Sequence, residues 1–238
     1  MNKLKAVKID YSNEQLRPNG QRAKTAIILI WIVLVFQLPS LVSAFSQYQI
    51  LTSALENDLT LEIALSDLTP HGVLDLALGL LLIITGITFI QWFRRTYFNL
   101  HTKVNYLAHA VDWAAGSWFV PIMNLYRPYQ IMKEIYNETK KLLTKNNIEF
   151  NPTFSTKLLG WWWILWLLKG SINFFEFLHL KFFGDSLETF TTVAIVSMVR
   201  SIIMIPLSII TIKIIKDYST IEPLLNEIQE ESKVQTTQ

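Results

Sequence analysis

The sequence predicts an all-α integral membrane protein: four transmembrane helices in two hairpins, joined by a central cytoplasmic segment that is re-entrant or interfacial and carries an amphipathic helix. Three observations predict it. Of the 238 residues 51% are hydrophobic and only 17% charged, against about a quarter charged in soluble domains. The apolar residues gather into runs near the length of about 20 that spans a bilayer. Lysine and arginine gather in alternate connections between those runs. With no cysteine, disulfides, thiolate catalysis and Cys-based metal sites are excluded.

Residues 1–24 form a basic arm, with Lys3, Lys5, Lys8, Arg17, Arg22 and Lys24 against Asp10 and Glu14. Pro18-Asn19-Gly20 marks a turn before the membrane domain of residues 25–217. The first span, 25–46, has no charged residue, and Pro39 is expected to kink it. Pro39 followed by Val42-Ser43-Ala44 resembles a signal-peptide cleavage site, but so long a preceding arm favours a retained anchor. Residues 47–72 carry Glu56, Asp58, Glu62 and Asp67 without a lysine or arginine. Leu51, Leu55, Leu59 and Ile63 predict a short amphipathic helix there, broken at Thr69-Pro70-His71-Gly72. The second span, 73–93, ends on Gln91-Trp92, with Arg94-Arg95 at once behind, the usual interfacial anchoring.

The cytoplasmic module covers residues 94–157. Thr96 to Asp112 reads as a polar helix leaving the membrane. Trp113 to Tyr136 is apolar and aromatic but split by Pro121 and Pro128, with Asn124 and Arg127 between them. Pro128 suits the first turn of a helix. Tyr129, Met132, Ile135, Tyr136, Leu142 and Leu143 line one side of it, which suits a helix lying on headgroups. Asn146-Asn147 to Pro152 should end it. The third span, 158–183, holds Lys169, Asn173 and Glu176; the fourth, 189–212, holds Arg200 and Pro206. A polar tail, 218–238, closes the chain. Because lysine and arginine favour the cytoplasmic side, both termini and the module are expected there, and the central segment must return to the face it left.

Trp92-Phe93-Arg94-Arg95-Thr96-Tyr97-Phe98-Asn99-Leu100, with the Trp-Phe-Val-Pro…Asn-Leu…Arg-Pro pattern of residues 118–128, resembles a bacterial integral-membrane family known as domain of unknown function 4328. The likeness runs from the second span to the fourth. It implies a multi-pass bacterial inner-membrane protein with no established activity, and no catalytic residue is carried over.

Two candidate sites follow from the residues. Lys169, Asn173 and Glu176 share a helical face, and folding the last hairpin about Leu187 brings Arg200 level with Asn173 and one turn from Glu176. Charge in hydrocarbon costs at least about 2.5 kcal/mol, so Glu176 and Arg200 are expected to pair. That set is a helix clamp, with Lys169 snorkelling, or part of a proton or solute path with Gln37 and Thr85. The second site is Arg94, Arg95, Trp113, Trp118, Asn124, Arg127 and Tyr129. It suits contact with lipid headgroups or a partner protein, or else an elbow in which Arg127 is tied to Asp112 or Glu134.

The main functional reading is therefore a non-enzymatic membrane component working through the module on membrane lipids, a protein partner or a second copy. A small oligomeric transporter or channel using Lys169, Glu176 and Arg200 is the alternative. A membrane enzyme centred on His109 and Asp112 is the third, with His101 nearby; three or four zinc ligands at suitable spacing are lacking. No phosphate-binding glycine loop and no Gly-x-Ser-x-Gly elbow occur, so no cofactor or metal is expected. Basic clusters beside spans suit anionic lipid, not nucleic acid.

Overall fold

A computed structural model describes residues 11, 14–57, 60–150, 154 and 156–228. The arm's first ten residues, Asp58, Leu59, Pro152 and the tail from residue 229, on which some expectations fall, lie outside them. Among the described residues all regular structure is helical: α1 (Gly20–Glu56), α2 (Leu61–His101), α3 (Trp113–Gly116), a 3₁₀ turn (Met123–Leu125), α4 (Arg127–Lys145), α5 (Lys157–Phe183), α6 (Leu187–Ile221) and a last 3₁₀ turn (Glu222–Leu225).

Among the described residues, three stretches are long and apolar enough to cross a membrane: Gly20–Glu56, Gly72–His101 and Leu187–Leu225. At 1.5 Å per residue, α1, α2 and α6 reach roughly 50–60 Å, well beyond a hydrocarbon core of about 30 Å. The expected third span folds as α5, 27 residues long, but Lys169, Asn173 and its tryptophans dilute its apolar character, and it is not among the three.

The connections differ from expectation in two places. Of the residues expected to form a separate amphipathic helix, Leu51 and Leu55 belong to α1 and Ile63 to α2. The backbone is helical through 69–72, where the sequence predicts a break; α1 ends at Glu56 and α2 begins at Leu61. Inside a long apolar helix, releasing backbone groups on both sides of a break costs more than one proline does. Likewise α2 stops at His101, and residues 102–112 are turns, not a continued helix. Thr102 Oγ1 donates to the Asn99 carbonyl at 2.8 Å, and Val104, Leu107 and Val111 are buried. Their near-helical spacing serves a loop folded onto apolar surface.

The chain divides into two compact units. One comprises residues 1–26, 87–159 and 214–238; the other, 27–86 and 160–213. In the second, Leu51 and Ala54 near the end of α1 pack on Ala194 near the start of α6, with Tyr48, Leu187 and Phe190 around them. Val35, Val42, Leu76, Leu80, Phe174 and Ile202 face outward, while Gln37, Ser40, Ser43, Thr85, Ser201 and Ser208 are buried. Small polar groups inside and aliphatic groups outside is the arrangement that lipid selects. Gly184, at φ 69°, makes the turn from α5 to α6, and the Ser186 hydroxyl accepts the Thr189 N–H at 3.2 Å.

In the first unit, the core is aromatic. Phe89, Trp92, Phe93, Thr96, Tyr97 and Leu100 repeat at three- and four-residue steps along α2 and are all buried. From α4 come Ile131, Met132, Ile135, Tyr136, Thr139 and Leu143. Tyr136 donates to the Ile214 carbonyl at 3.1 Å, and the Thr139 and Tyr218 hydroxyls lie 3.1 Å apart. The apolar face of α4 is thus covered by protein and does not lie on headgroups; Tyr129 and Leu142 are only half-buried. Pro128 occupies its first turn, as the sequence leads one to expect, and Asn147, at φ 54°, ends it. Tyr218, Ile221 and Leu225 of the tail are buried as well.

Candidate functional site

The second expected site lies wholly in the first unit. Two turns of α2 and the start of α4 enclose the loop 102–112. Tyr97 Oη lies 2.6 Å from Glu134 Oε2 and 3.0 Å from the His109 carbonyl. The Ala108 N–H donates to Glu134 Oε1 at 2.6 Å. His101 Nε2 stands 3.0 Å from the same His109 carbonyl, which only accepts, so His101 carries its proton on Nε2.

Arg127, at the head of α4, lies 2.7 Å from His109 Nδ1. A guanidinium offers donors only, so Nδ1 accepts and the imidazole is the neutral tautomer protonated on Nε2. Burial and then the Arg127 charge hold the His109 pKa below the ordinary imidazole range; Glu134 opposes them. The Arg127 guanidinium also faces the Tyr126 ring at 5.6 Å and the Trp113 ring at 5.9 Å. The expected tie from Arg127 to Asp112 or Glu134 is replaced by this contact. Asp112 instead meets Arg94 at 3.0 Å, with both side chains mostly exposed, a pair worth little. His109 and Asp112 therefore share no helix face and answer to different arginines. Among the described residues no group of three or more His, Asp or Glu suits a metal ion.

Trp118 meets Phe89 edge-on at 5.7 Å and Phe93 at 6.0 Å. Asn124 Oδ1 is buried without a partner among the described residues. Between these anchors the chain projects a bare apolar tip: Phe119 is 75% exposed, Ile122 74% and Leu125 55%. Arg95 is half-buried and Arg94 exposed. Together with Arg17 and Arg22 they ring a separate cleft in the same unit.

Sequence reasoning missed a buried polar knot here. The Asn19 side-chain amide donates to Thr96 Oγ1 at 2.9 Å and to Glu222 Oε2 at 3.0 Å. The Asn99 amide donates to Glu222 Oε1 at 2.7 Å and to the Arg17 carbonyl at 2.9 Å, and Asn99 Oδ1 accepts the Arg17 N–H at 3.0 Å. The signal was present: Thr96 and Asn99 lie four and seven residues after Trp92, and Glu222 four after Tyr218, on otherwise apolar stripes.

The polar set expected within the membrane lies in the second unit. Arg200 donates to Glu176, and to Ser197 Oγ at 2.9 Å. Lys169, Asn173, Arg200, Gln37, Asp75 and Ser201 are among the residues lining a cavity of about 240 Å³. Gln37 bonds the Val33 carbonyl at 3.4 Å. Thr85 donates to the Leu81 carbonyl at 2.7 Å and does not line the cavity.

Among the described residues, helices throughout, three of them long and apolar enough to cross a bilayer, place the chain in the class of membrane-type proteins. Residues 58–220, well over half of the chain, match the family described as Domain of unknown function (DUF4328), and the chain belongs to it. Searches of the curated proteins and of the solved structures returned no match.

Proposed function

We propose that this is a bacterial inner-membrane protein of four spans, residues 25–46, 73–93, 158–183 and 189–212, with both termini cytoplasmic. In this reading it is a non-enzymatic component whose cytoplasmic module, residues 94–157, engages lipid headgroups or a partner protein. The Asn19–Glu222 hydrogen bond supports the topology, because it ties the start of α1 to the end of α6. Two groups in contact lie on one side of a bilayer, so an even number of crossings separates them. Of the 21 lysines and arginines only Lys169, Lys181, Arg200 and Lys213 fall in the second unit, leaving 17 for the first. Positive charge on that scale marks the cytoplasmic side.

The observation that carries the functional reading is the tip formed by Phe119, Ile122 and Leu125, bare on a support of Trp118, Phe89 and Phe93. Exposed aromatic and aliphatic residues beside arginines suit the headgroup boundary. Arg94, Arg95, Trp113, Asn124, Arg127 and Tyr129, elsewhere in the same module, are the further residues proposed to contact headgroups or a partner. Spin labels on Ile122→Cys and on Lys140→Cys, in the full chain in lipid nanodiscs, test it. Residue 122 should be more accessible to oxygen than to a water-soluble relaxant, and residue 140 the reverse. Equal water exposure at both sites, in nanodiscs and in native membranes, would contradict the reading; protection in native membranes alone would assign the tip to a partner protein.

The cavity favours one second reading. Lys169, Asn173, Arg200, Gln37 and Asp75 around one space within the helices suit a small polar solute, with an oligomer enlarging the path.

A further inference from the structure

Four guanidiniums converge on one cleft that the tip does not need. Arg17 precedes α1, Arg22 lies in its first turn, and Arg94 and Arg95 follow the apolar part of α2. With Gln91, Phe98 and Val111 they line a cavity of about 150 Å³. Like charges this close repel unless something negative joins them. Two of the four are accounted for: Arg17 pairs with Glu14 at 2.5 Å and lies over the Phe98 ring at 4.1 Å, and Arg94 pairs with Asp112. Arg22 and Arg95 make no ion pair among the described residues. Glu222, whose charge also reaches Arg95, is held by the Asn19 and Asn99 amides.

We infer that this cleft is a binding site for a phosphomonoester, with Arg22 and Arg95 as its principal ligands and Arg94, Arg17 and Gln91 at its rim. Glu14 and Asp112 pair with Arg17 and Arg94, which leaves the two guanidinium forks of Arg22 and Arg95 to face an anion. A phosphomonoester carries about −1.5 to −2 at pH 7, whereas a phosphodiester carries about −1. The planar fork of arginine matches phosphate oxygens two at a time, which lysine does not. A carboxylate ligand would satisfy one fork and leave the second charge bare. Arg94 and Arg95 come directly after the apolar stretch that ends at Phe93, which puts phosphate at headgroup depth and favours a lipid as its source. That source rests on the membrane-facing reading above; the phosphate chemistry does not.

The test uses the full chain in detergent with short-chain phosphatidic acid, phosphatidylglycerol and inorganic phosphate as probes, read by native mass spectrometry. Phosphatidic acid should bind at least about fivefold more tightly than phosphatidylglycerol, the extra charge engaging the second fork. Arg22→Gln with Arg95→Gln should weaken it about tenfold or more and erase the preference. Arg22→Lys with Arg95→Lys preserves charge and guards against misfolding; it should lose most of the preference while keeping residual binding. Lys133→Gln with Lys140→Gln, elsewhere in the unit, should change nothing. Binding of inorganic phosphate but not of phosphatidic acid, with the same dependence on Arg22 and Arg95, would keep the site and make its source soluble. Undiminished phosphatidic acid binding by both folded double variants, or equal binding of the diester lipid, would overturn it. Failure of the spin-label test with intact binding would remove the membrane reading and leave the site.

Discussion

Arg127 shows how a single residue's role depends on what the loop beside it does. Its position between Trp118 and Tyr129 was legible, and so was its proximity to aromatic rings. Its partner was not, because residues 102–112 carry apolar groups at near-helical spacing but fold as turns. That folding delivers His109 Nδ1 to the guanidinium and leaves Asp112 to Arg94. A pH dependence follows. The His109 pKa is held low in the folded protein, so between the folded and unfolded values the unfolded chain binds more protons. The contribution is complete above the unfolded value of about 6.5 and is lost as pH falls through the folded one. Melting in detergent between pH 7.5 and 5.5 should therefore fall more steeply for the native chain than for His109→Gln, whose amide oxygen still accepts from Arg127. Parallel pH profiles would sink this assignment.

At the scale of elements, the last hairpin was the most legible part. Its turn residues and the helical repeat fixed which charges meet, and Arg200 does donate to Glu176. The cavity beside them was less so: Gln37, Asp75 and Ser201 come from three separate stretches, and no local pattern in one sequence announces such convergence. The apolar stripe of α4 was also legible, yet not what covers it, since amphipathicity is the same whether the cover is lipid or protein. Here Tyr218 and Ile214 lie against it, from a stretch that reads as the start of a polar tail. Glu176→Gln divides the two readings of the hairpin. As a clamp, its loss leaves the Arg200 charge unbalanced in a partly buried position, and stability in detergent should drop by about 2 kcal/mol. The further change Arg200→Gln should restore part of it. Unchanged stability with abolished solute flux would move the set to a transport path.

At the scale of the molecule, composition and the spacing of apolar runs led to four spans, and three of the described helices are long and apolar enough to cross a membrane. α1, α2 and α6 outrun the expected spans at both ends. A hydropathy pattern reports where lipid suits a helix, not where the hydrogen-bonded helix stops. The polar knot joining Asn19, Thr96, Asn99 and Glu222 lay beyond reach for a related reason: its members are up to 203 residues apart, and each is unremarkable alone. That knot is also what makes the topology testable, because it binds the fates of the two chain ends together.

Single cysteines on this cysteine-free chain give the most direct measurement. Ser117 is buried and unsuited to labelling, so Lys140→Cys represents the module, with Ser53→Cys, Asp185→Cys and Ser232→Cys for the connections and the tail. With a membrane-impermeant maleimide on intact cells, residues 53 and 185 should react at once, and 140 and 232 only after the membrane is opened. Labelling of residue 140 or residue 232 from outside intact cells would contradict the even number of crossings.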